Sequence, residues 1–257
     1  MQVRAKKHLG QHFLTDQNIA RRIVDSLLDR KSSNAVIEVG PGTGVLTQFL
    51  LQDHSENFFA MDVDTESVAF LQKKYPASAN KIILGDFLNY NIDTLTTGKY
   101  DIIGNFPYNI SSQILFRALE YKNRVDYVVG MFQKEVAERI AEKPGSKAYG
   151  IISVLLQAYY DIEYLFTVEP TVFNPPPKVK SAVIRLTRNK VQRLDCDEVL
   201  FVKVVKAGFN QRRKTLRNAL RPLITNPEFM SNEILDKRAE RLSVEDFVYI
   251  TNELQKK

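Results

Sequence analysis

One cysteine, Cys196, and three scattered histidines, His8, His12 and His54, are all the thiolate and imidazole ligands this 257-residue chain offers. No intrachain disulfide can form, and no thiolate or histidine spacing for zinc is present, so no metal is expected. Long apolar runs are missing too, and nothing approaches the roughly 20 residues that cross a bilayer. The basic start, Met1-Gln2-Val3-Arg4-Ala5-Lys6-Lys7, lacks the apolar core of a secretory signal. The expectation is a soluble, cytoplasmic protein with no membrane partner and, by default, a monomer. Internal repeats and low-complexity tracts are absent. Acidic residues are missing from one stretch, between Glu198 and Glu228. What is present is 44% hydrophobic content, enough for one large domain or a medium one with an appendage. A net charge of +6 favours an anionic partner such as nucleic acid or an acidic membrane surface.

Short apolar runs alternate with segments of helical periodicity from about residue 16 to 190. Ala35–Val39, Phe58–Asp62, Lys81–Leu84, Asp101–Gly104 and Tyr127–Met131 read as strands, with a β-like run at Ser181–Leu186. Strands alternating with helices predict βαβ units and a mostly parallel α/β sheet, with ligands beyond the strands' C-terminal ends. From Glu198 onward the pattern is helical. The predicted division is therefore 1–190 for the α/β domain and 191–257 for a small helical domain.

The first strand ends in Glu38-Val39-Gly40-Pro41-Gly42-Thr43-Gly44. Gly40, Gly42 and Gly44 allow close backbone approach to a ligand. A dinucleotide loop wants G-x-G-x-x-G, and Val45 breaks that spacing. S-adenosylmethionine has no pyrophosphate, and its loops relax the requirement. Asp62 closes the second strand where an acidic side chain would accept ribose hydroxyls, while Asp64-Thr65-Glu66 reads as a helix start capped by Asp64. Asp86, after Gly85, either accepts the cofactor's adenine amine or is a solvated turn residue at the end of the third strand. The arm Gly10-Gln11-His12-Phe13-Leu14 either folds back over the cofactor or anchors Phe13 and Leu14 in the core.

Asn105-Phe106-Pro107-Tyr108 follows the fourth strand. An exocyclic amine of a base is a poor nucleophile because its lone pair is delocalised into the ring. An Asn side-chain oxygen and the following carbonyl can accept both N–H bonds and favour the tetrahedral nitrogen, acting where charge develops. Pro107 stiffens the turn and Tyr108 stacks on the base. Phe173, ahead of the stiff Pro175-Pro176-Pro177 run, either covers the base's other face or is a core aromatic.

These segments, with Lys7–Leu14, Phe173–Ser181 and Phe209–Asn218, together resemble the KsgA (RsmA) family of small-subunit ribosomal RNA adenine N6-dimethyltransferases. The resemblance covers essentially the whole chain. It implies a seven-stranded Rossmann-like class I methyltransferase sheet with an all-helical C-terminal domain. It implies S-adenosylmethionine contacts on His12, Leu14, Gly40, Asp62, Asp86 and Asn105, with Gln11, Gly42 and Gly44 alongside. It implies transfer of four methyl groups to two adjacent adenines in a hairpin near the 3′ end of 16S rRNA. Asp62 stands where the family usually has the longer Glu, Phe106 where Leu is commoner, and Gln113 where Pro is frequent.

In the acid-free stretch, Lys203, Lys206, Arg212, Arg213, Lys214, Arg217 and Arg221 occur together. Arg213, Arg217 and Arg221 recur every four residues, which predicts one basic helix face backed by Leu216, Leu220 and Leu223. Such a stripe suits RNA phosphates, since solvated helix faces normally mix signs. The nearest rival is a 23S rRNA methylase, which shares the Asn-x-Pro-Tyr turn. A ribosome-assembly or transcription factor on the same fold is the non-enzymatic rival, and Val45 disfavours a dehydrogenase.

Overall fold

The computed structural model describes residues 3–28, 35–54, 56–211 and 213–256. In chain order it has β1 (Phe13–Leu14), α1 (Gln17–Leu28), β2 (Ala35–Val39), α2 (Thr47–Asp53), β3 (Phe58–Asp62) and α3 (Thr65–Lys74). Next come β4 (Ile82–Leu84), β5 (Tyr100–Asn105), α4 (Ser111–Glu120), β6 (Val125–Gln133), α5 (Lys134–Ala141) and α6 (Ile151–Gln157). Then follow β7 (Tyr160–Val168), β8 (Phe173–Asn174), β9 (Ser181–Arg188), α7 (Glu198–Asn210), α8 (Leu216–Ala219) and α9 (Val244–Gln255). The chain separates into two units, 1–137 with 162–188 and 138–161 with 189–257.

The first unit carries a seven-stranded sheet in the order β4-β3-β2-β5-β6-β9-β7. Strands β4 to β6 run parallel, and β9 pairs antiparallel with β6. All five residues of β2 are buried, as expected of a parallel strand covered on both faces. From β2 the chain winds outward to β3 and β4, then returns to place β5 on β2's other side. That reversal opens a crevice beyond the ends of β2 and β5, where open α/β sheets bind ligands. Helix α1 covers one face through Ala20, Ile23, Val24 and Leu27, spaced for one helical stripe and all at most 2% exposed.

Every strand expected from the sequence is present. Two features lacked a sequence signal. Strand β7, at the sheet's edge, is buried only at its ends, Tyr160 and Val168, and half-buried or exposed between them, and β1 pairs antiparallel with β8, joining Phe13 to Asn174 and Leu14 to Phe173. The second pairing ties the N-terminal arm to the proline run.

The second unit is helical in its C-terminal part. Phe201, Val204, Val205 and Phe209 of α7 and Phe247 and Ile250 of α9 are buried, and the Phe209 and Phe247 rings lie 6.0 Å apart. Asp197 caps α7 by accepting from Leu200 N at 2.8 Å, and Ser243 with Asp246 forms a capping box on α9. The sequence division at 190 lies close to the break at 188, whereas 138–161 groups with the helical unit. Helix α6 is apolar along most of its length and its Val154, Leu155 and Leu156 are buried, which sequence alternation alone does not assign to either side.

The expected basic helix face is not formed. Helix α7 ends at Asn210, α8 spans four residues, and Arg221 opens a 3-10 turn with Pro222 inside it. Arg213 precedes α8, Arg217 lies in it and Arg221 follows it in a turn whose Pro222 lacks the N–H of a continuing helix, so the three do not share one face. Arg217 also pairs with Asp236 at 2.7 Å. Leu216 and Leu220 are fully buried, as the pattern requires. Arg212 lies outside the described residues.

Candidate active site

Gly40, Gly42 and Gly44 all take positive φ, at 71°, 54° and 81°, as the chain turns from β2 into α2. At Gly42 the constraint is double. A Cβ there would sit 2.7 Å from the Phe13 ring, so only glycine lets the arm lie on the loop. A cavity of about 220 Å³ opens beside it. The residues lining it include Gln11, His12, Gly40, Gly42, Asp62, Asp86, Asn105, Phe106, Pro107 and Tyr108. Four elements far apart in sequence thus converge: the arm, the glycine loop, the ends of β3 and β4, and the turn after β5.

Three expected site residues are not brought to this cavity. Leu14 is 2% exposed and Phe173 4%; the two are partners across β1–β8 and belong to the hydrophobic core with Met131 and Val183. Pairing with β1 turns Phe173 inward, so it is a core aromatic, and Phe13 is the arm residue on the ligand side. A Cβ on Gly44 would meet Leu71 at 2.5 Å, so that glycine serves loop packing. Val63, Leu88, Asn109 and Ile110 also line the cavity. Val63 and Leu88 lie one and two residues past Asp62 and Asp86, and Asn109 and Ile110 continue the Asn105–Tyr108 turn; that nearness is their signal in the sequence.

Asn105 ends β5. Its Nδ2 donates to the His12 carbonyl at 2.8 Å, which fixes the amide's orientation and leaves Oδ1 without a partner among the described residues. The next side chain anchors the turn. Phe106 is 1% exposed and stands edge-on to Phe132 at 5.3 Å. Its ring fits because Gly104 and Gly130 are paired beneath it; a Cβ on Gly130 would approach it to 2.2 Å. Tyr108 donates or accepts a 2.6 Å bond with Ser181 Oγ and stacks on His12, with centroids 5.6 Å apart. Burial raises the Tyr108 pKa, against the Ser181 hydrogen bond. The ring therefore stays a neutral phenol at neutral pH.

The carboxylates divide their labour. Asp62, 6% exposed, accepts from Gly42 N at 3.2 Å and from Asp64 N at 2.9 Å. Burial pushes its pKa up, and those backbone bonds pull it back. Asp64 caps α3, accepting from Glu66 N at 3.1 Å, and also receives Lys6 Nζ at 2.6 Å and Gln11 Nε2 at 3.2 Å. Burial opposes ionisation of Asp64, but these donors prevail and its pKa falls. The cap is also the anchor of the arm. Beneath the loop, Glu38 is fully buried, accepts from Thr47 Oγ1 at 2.7 Å, and is pushed up to about 8 by burial.

The cavity lining includes the carboxylates of Asp62 and Asp86 and no lysine or arginine among the described residues. A pyrophosphate would want the opposite. A sulfonium with an ammonium fits, and the glycine backbone provides space that any Cβ would reduce. Among the described residues no group of three or more histidine, cysteine or acidic side chains is placed to hold a metal, and no helix is long and apolar enough to span a membrane.

Comparison with known proteins identifies the chain's family and fold. The profile of ribosomal RNA adenine dimethylases matches residues 2–256. The chain is 58% identical over 255 residues to the ribosomal RNA small subunit methyltransferase A of Cytophaga hutchinsonii, covering 99% of each. It is 55% identical over 251 residues to the protein of that name from Parabacteroides distasonis, covering 97% of this chain and 93% of that one. In fold it is similar to a dimethyladenosine transferase from Plasmodium falciparum, with TM-score 0.77, 23% identity, and 92% and 95% coverage. It is likewise similar to the 23S rRNA methyltransferase ErmE, with TM-score 0.71, 20% identity, and 93% and 99% coverage. At those identities the structural likeness speaks for the fold, which is the class I methyltransferase sheet expected from the sequence. Family membership rests on the profile and the close relatives: the chain belongs to the ribosomal RNA adenine dimethylase family.

Proposed function

We propose that the protein dimethylates N6 of two adjacent adenines in the hairpin near the 3′ end of 16S rRNA, within the small ribosomal subunit or its precursor. The observation that carries this is Asn105, which lines the cavity of the cofactor cradle with its Nδ2 held by the His12 carbonyl and its Oδ1 left without a partner among the described residues. Gln11, His12, Gly40, Gly42, Asp62, Asp86 and Asn105 would hold S-adenosylmethionine, Asp62 at the ribose and Asp86 at the adenine. When bound, that cofactor supplies an electrophilic methyl on sulfur. Asn105 Oδ1 and the Phe106 carbonyl accept the two N6–H bonds and favour a tetrahedral nitrogen. Tyr108 stacks on the base, which must leave its helical stack to enter. Each transferred methyl replaces one N6 hydrogen, released as a proton to solvent, so no side chain need act as a general base.

The second unit, largely 191–257, would hold RNA. Lys206, Arg213, Lys214 and Arg221 would contact phosphates, with Arg217 contributing less because Asp236 neutralises it. The protein would work in the cytoplasm, as a monomer and without metal. The test is incubation with labelled S-adenosylmethionine and undermethylated small subunits, followed by mapping of modified nucleotides by mass. Dimethyladenosine at two neighbouring 16S positions is expected. Methylation of 23S rRNA instead overturns the substrate, and cofactor binding without transfer overturns the enzymatic reading.

A further inference from the structure

Dimethylation poses a retention problem. The two acceptors assigned to N6, Asn105 Oδ1 and the Phe106 carbonyl, bind hydrogens that the reaction itself removes. After the first transfer one N6–H remains, and after the second none. A site that performs both needs a hold on the base that does not depend on N6.

The sheet supplies a side chain in the right place. Asn105 on β5 is the register partner of Met131 on the parallel strand β6. Gln133 lies two residues further along β6, so its side chain projects from the same sheet face as that of Asn105. Across the antiparallel pair, Gln133 is opposite Ser181, whose hydroxyl holds Tyr108. Three strand ends therefore aim Asn105, Gln133 and the Tyr108 tether to one side. With ~3.3 Å per residue and ~4.8 Å between strands, the Asn105 and Gln133 backbones are about 8 Å apart, within reach of opposite sides of one purine.

Gln133 opens onto a second cavity of about 580 Å³ that shares His12 and Tyr108 with the first. The proline run Pro175 to Pro177 forms its apolar wall, and Lys7 and Lys178 stand among its lining residues. The Gln133 carboxamide is half-buried and makes no hydrogen bond with any described residue. The lysines differ from their neighbours in the same way. Lys6 is paired with Asp64 and Lys180 with Glu169, whereas Lys7 and Lys178 have no carboxylate partner among the described residues. An unpaired carboxamide, an apolar wall and two uncommitted cations fit a nucleotide, with its base inside and its phosphate at the lysines.

We propose that Gln133 donates its side-chain N–H to a ring nitrogen of the acceptor adenine and so keeps the base in place for the second methyl. Lys7 and Lys178 take the flanking phosphates. The inference rests on the adenine-N6 reading above. Ring nitrogens flanking N6 are acceptors in adenine before, between and after the two transfers, so this bond is untouched by the chemistry.

The experiment is single-turnover methylation of undermethylated small subunits by wild type, Q133L and Q133E, with nucleosides separated by mass. Q133E keeps the size but has no donor. Both variants should slow the second transfer relative to the first by roughly tenfold, the loss of about one hydrogen bond, so that N6-monomethyladenosine accumulates. Cofactor affinity by equilibrium dialysis should be unchanged. A wild-type ratio of mono- to dimethyladenosine, or equal slowing of both transfers, overturns the role of Gln133. A parallel arm needs no mutation: wild type acts on subunits reconstituted with 1-deazaadenine or 7-deazaadenine at the acceptor. One analogue should reproduce the monomethyl accumulation, and full dimethylation of both contradicts the proposal. Wild type that methylates no adenine at all overturns the acceptor reading, and this role with it.

Discussion

The cavity of the first unit and the basic segment of the second are built by opposite means. Around the cavity, polar groups are held by fixed partners: Asn105 by the His12 carbonyl of the arm, Tyr108 by the Ser181 hydroxyl, and Asp62 by the Gly42 N–H of the glycine loop. Around Arg213 to Arg221 the chain is a chain of short helical turns, and Lys214 and Arg221 are solvent-exposed. Transition-state stabilisation needs donors and acceptors already in position. Phosphate contact needs only charge density, which an adaptable surface delivers. The division teaches that chemistry and capture have different structural tolerances within one chain.

That comparison can be broken most sharply at Asn105. N105A should lower turnover by about 10²–10³, while cofactor affinity measured by dialysis falls far less; a variant with wild-type kcat contradicts the assignment. Next in size is G130A, whose new Cβ overlaps the Phe106 ring at 2.2 Å. Overpacking of this kind costs about 1–3 kcal/mol, readable as a lower melting temperature with a parallel loss of turnover as the turn shifts.

Glu38 sharpens the picture of the buried frame. Its carboxyl is raised to about 8 by burial, so the native state keeps a proton that the unfolded chain releases. The resulting stability is complete below the ordinary carboxylate range, near 4.5, and is lost as pH rises through about 8. E38Q removes this titration. Its melting temperature relative to wild type should therefore rise between pH 5 and pH 8, and a pH-independent difference would refute the burial argument.

The smallest effects belong to the basic segment. R213Q and R221Q should each lower the slope of log affinity against log salt by about 0.7–0.9. R217Q should lower it less and cost about 0.2–1 kcal/mol of stability through its lost Asp236 pair. Equal slopes for all three variants would show that Arg217 is as available as its neighbours.

Much of the first unit was readable because local chemistry sets it. A short apolar run ending in glycine or aspartate marks a buried strand and its exit, and Asp64 followed by Thr65-Glu66 marks a helix cap. Those signals act over a few residues and hold whatever the surroundings. What could not be read depended on partners far away in sequence. Phe173 looks the same before a proline run whether it faces a ligand or the core, and only its pairing with Leu14 decides. Strand β7 carries Asp161 and Glu163 in an edge position, so it lacks the apolar continuity of its neighbours. The four-residue spacing of the arginines is a true sequence pattern, but the chain breaks between α7 and α8, Pro222 ends the helical run at Arg221, and Asp236, far along the chain, takes Arg217.

The most direct test of this division is single-turnover methylation of undermethylated small subunits by N105A and by the R213Q/R221Q double variant, across salt concentrations. The account predicts that N105A fails at every salt, with RNA affinity preserved. The double variant should regain wild-type transfer at low salt and lose it steeply as salt rises. An N105A protein rescued by low salt, or an arginine variant whose defect persists there, would contradict it.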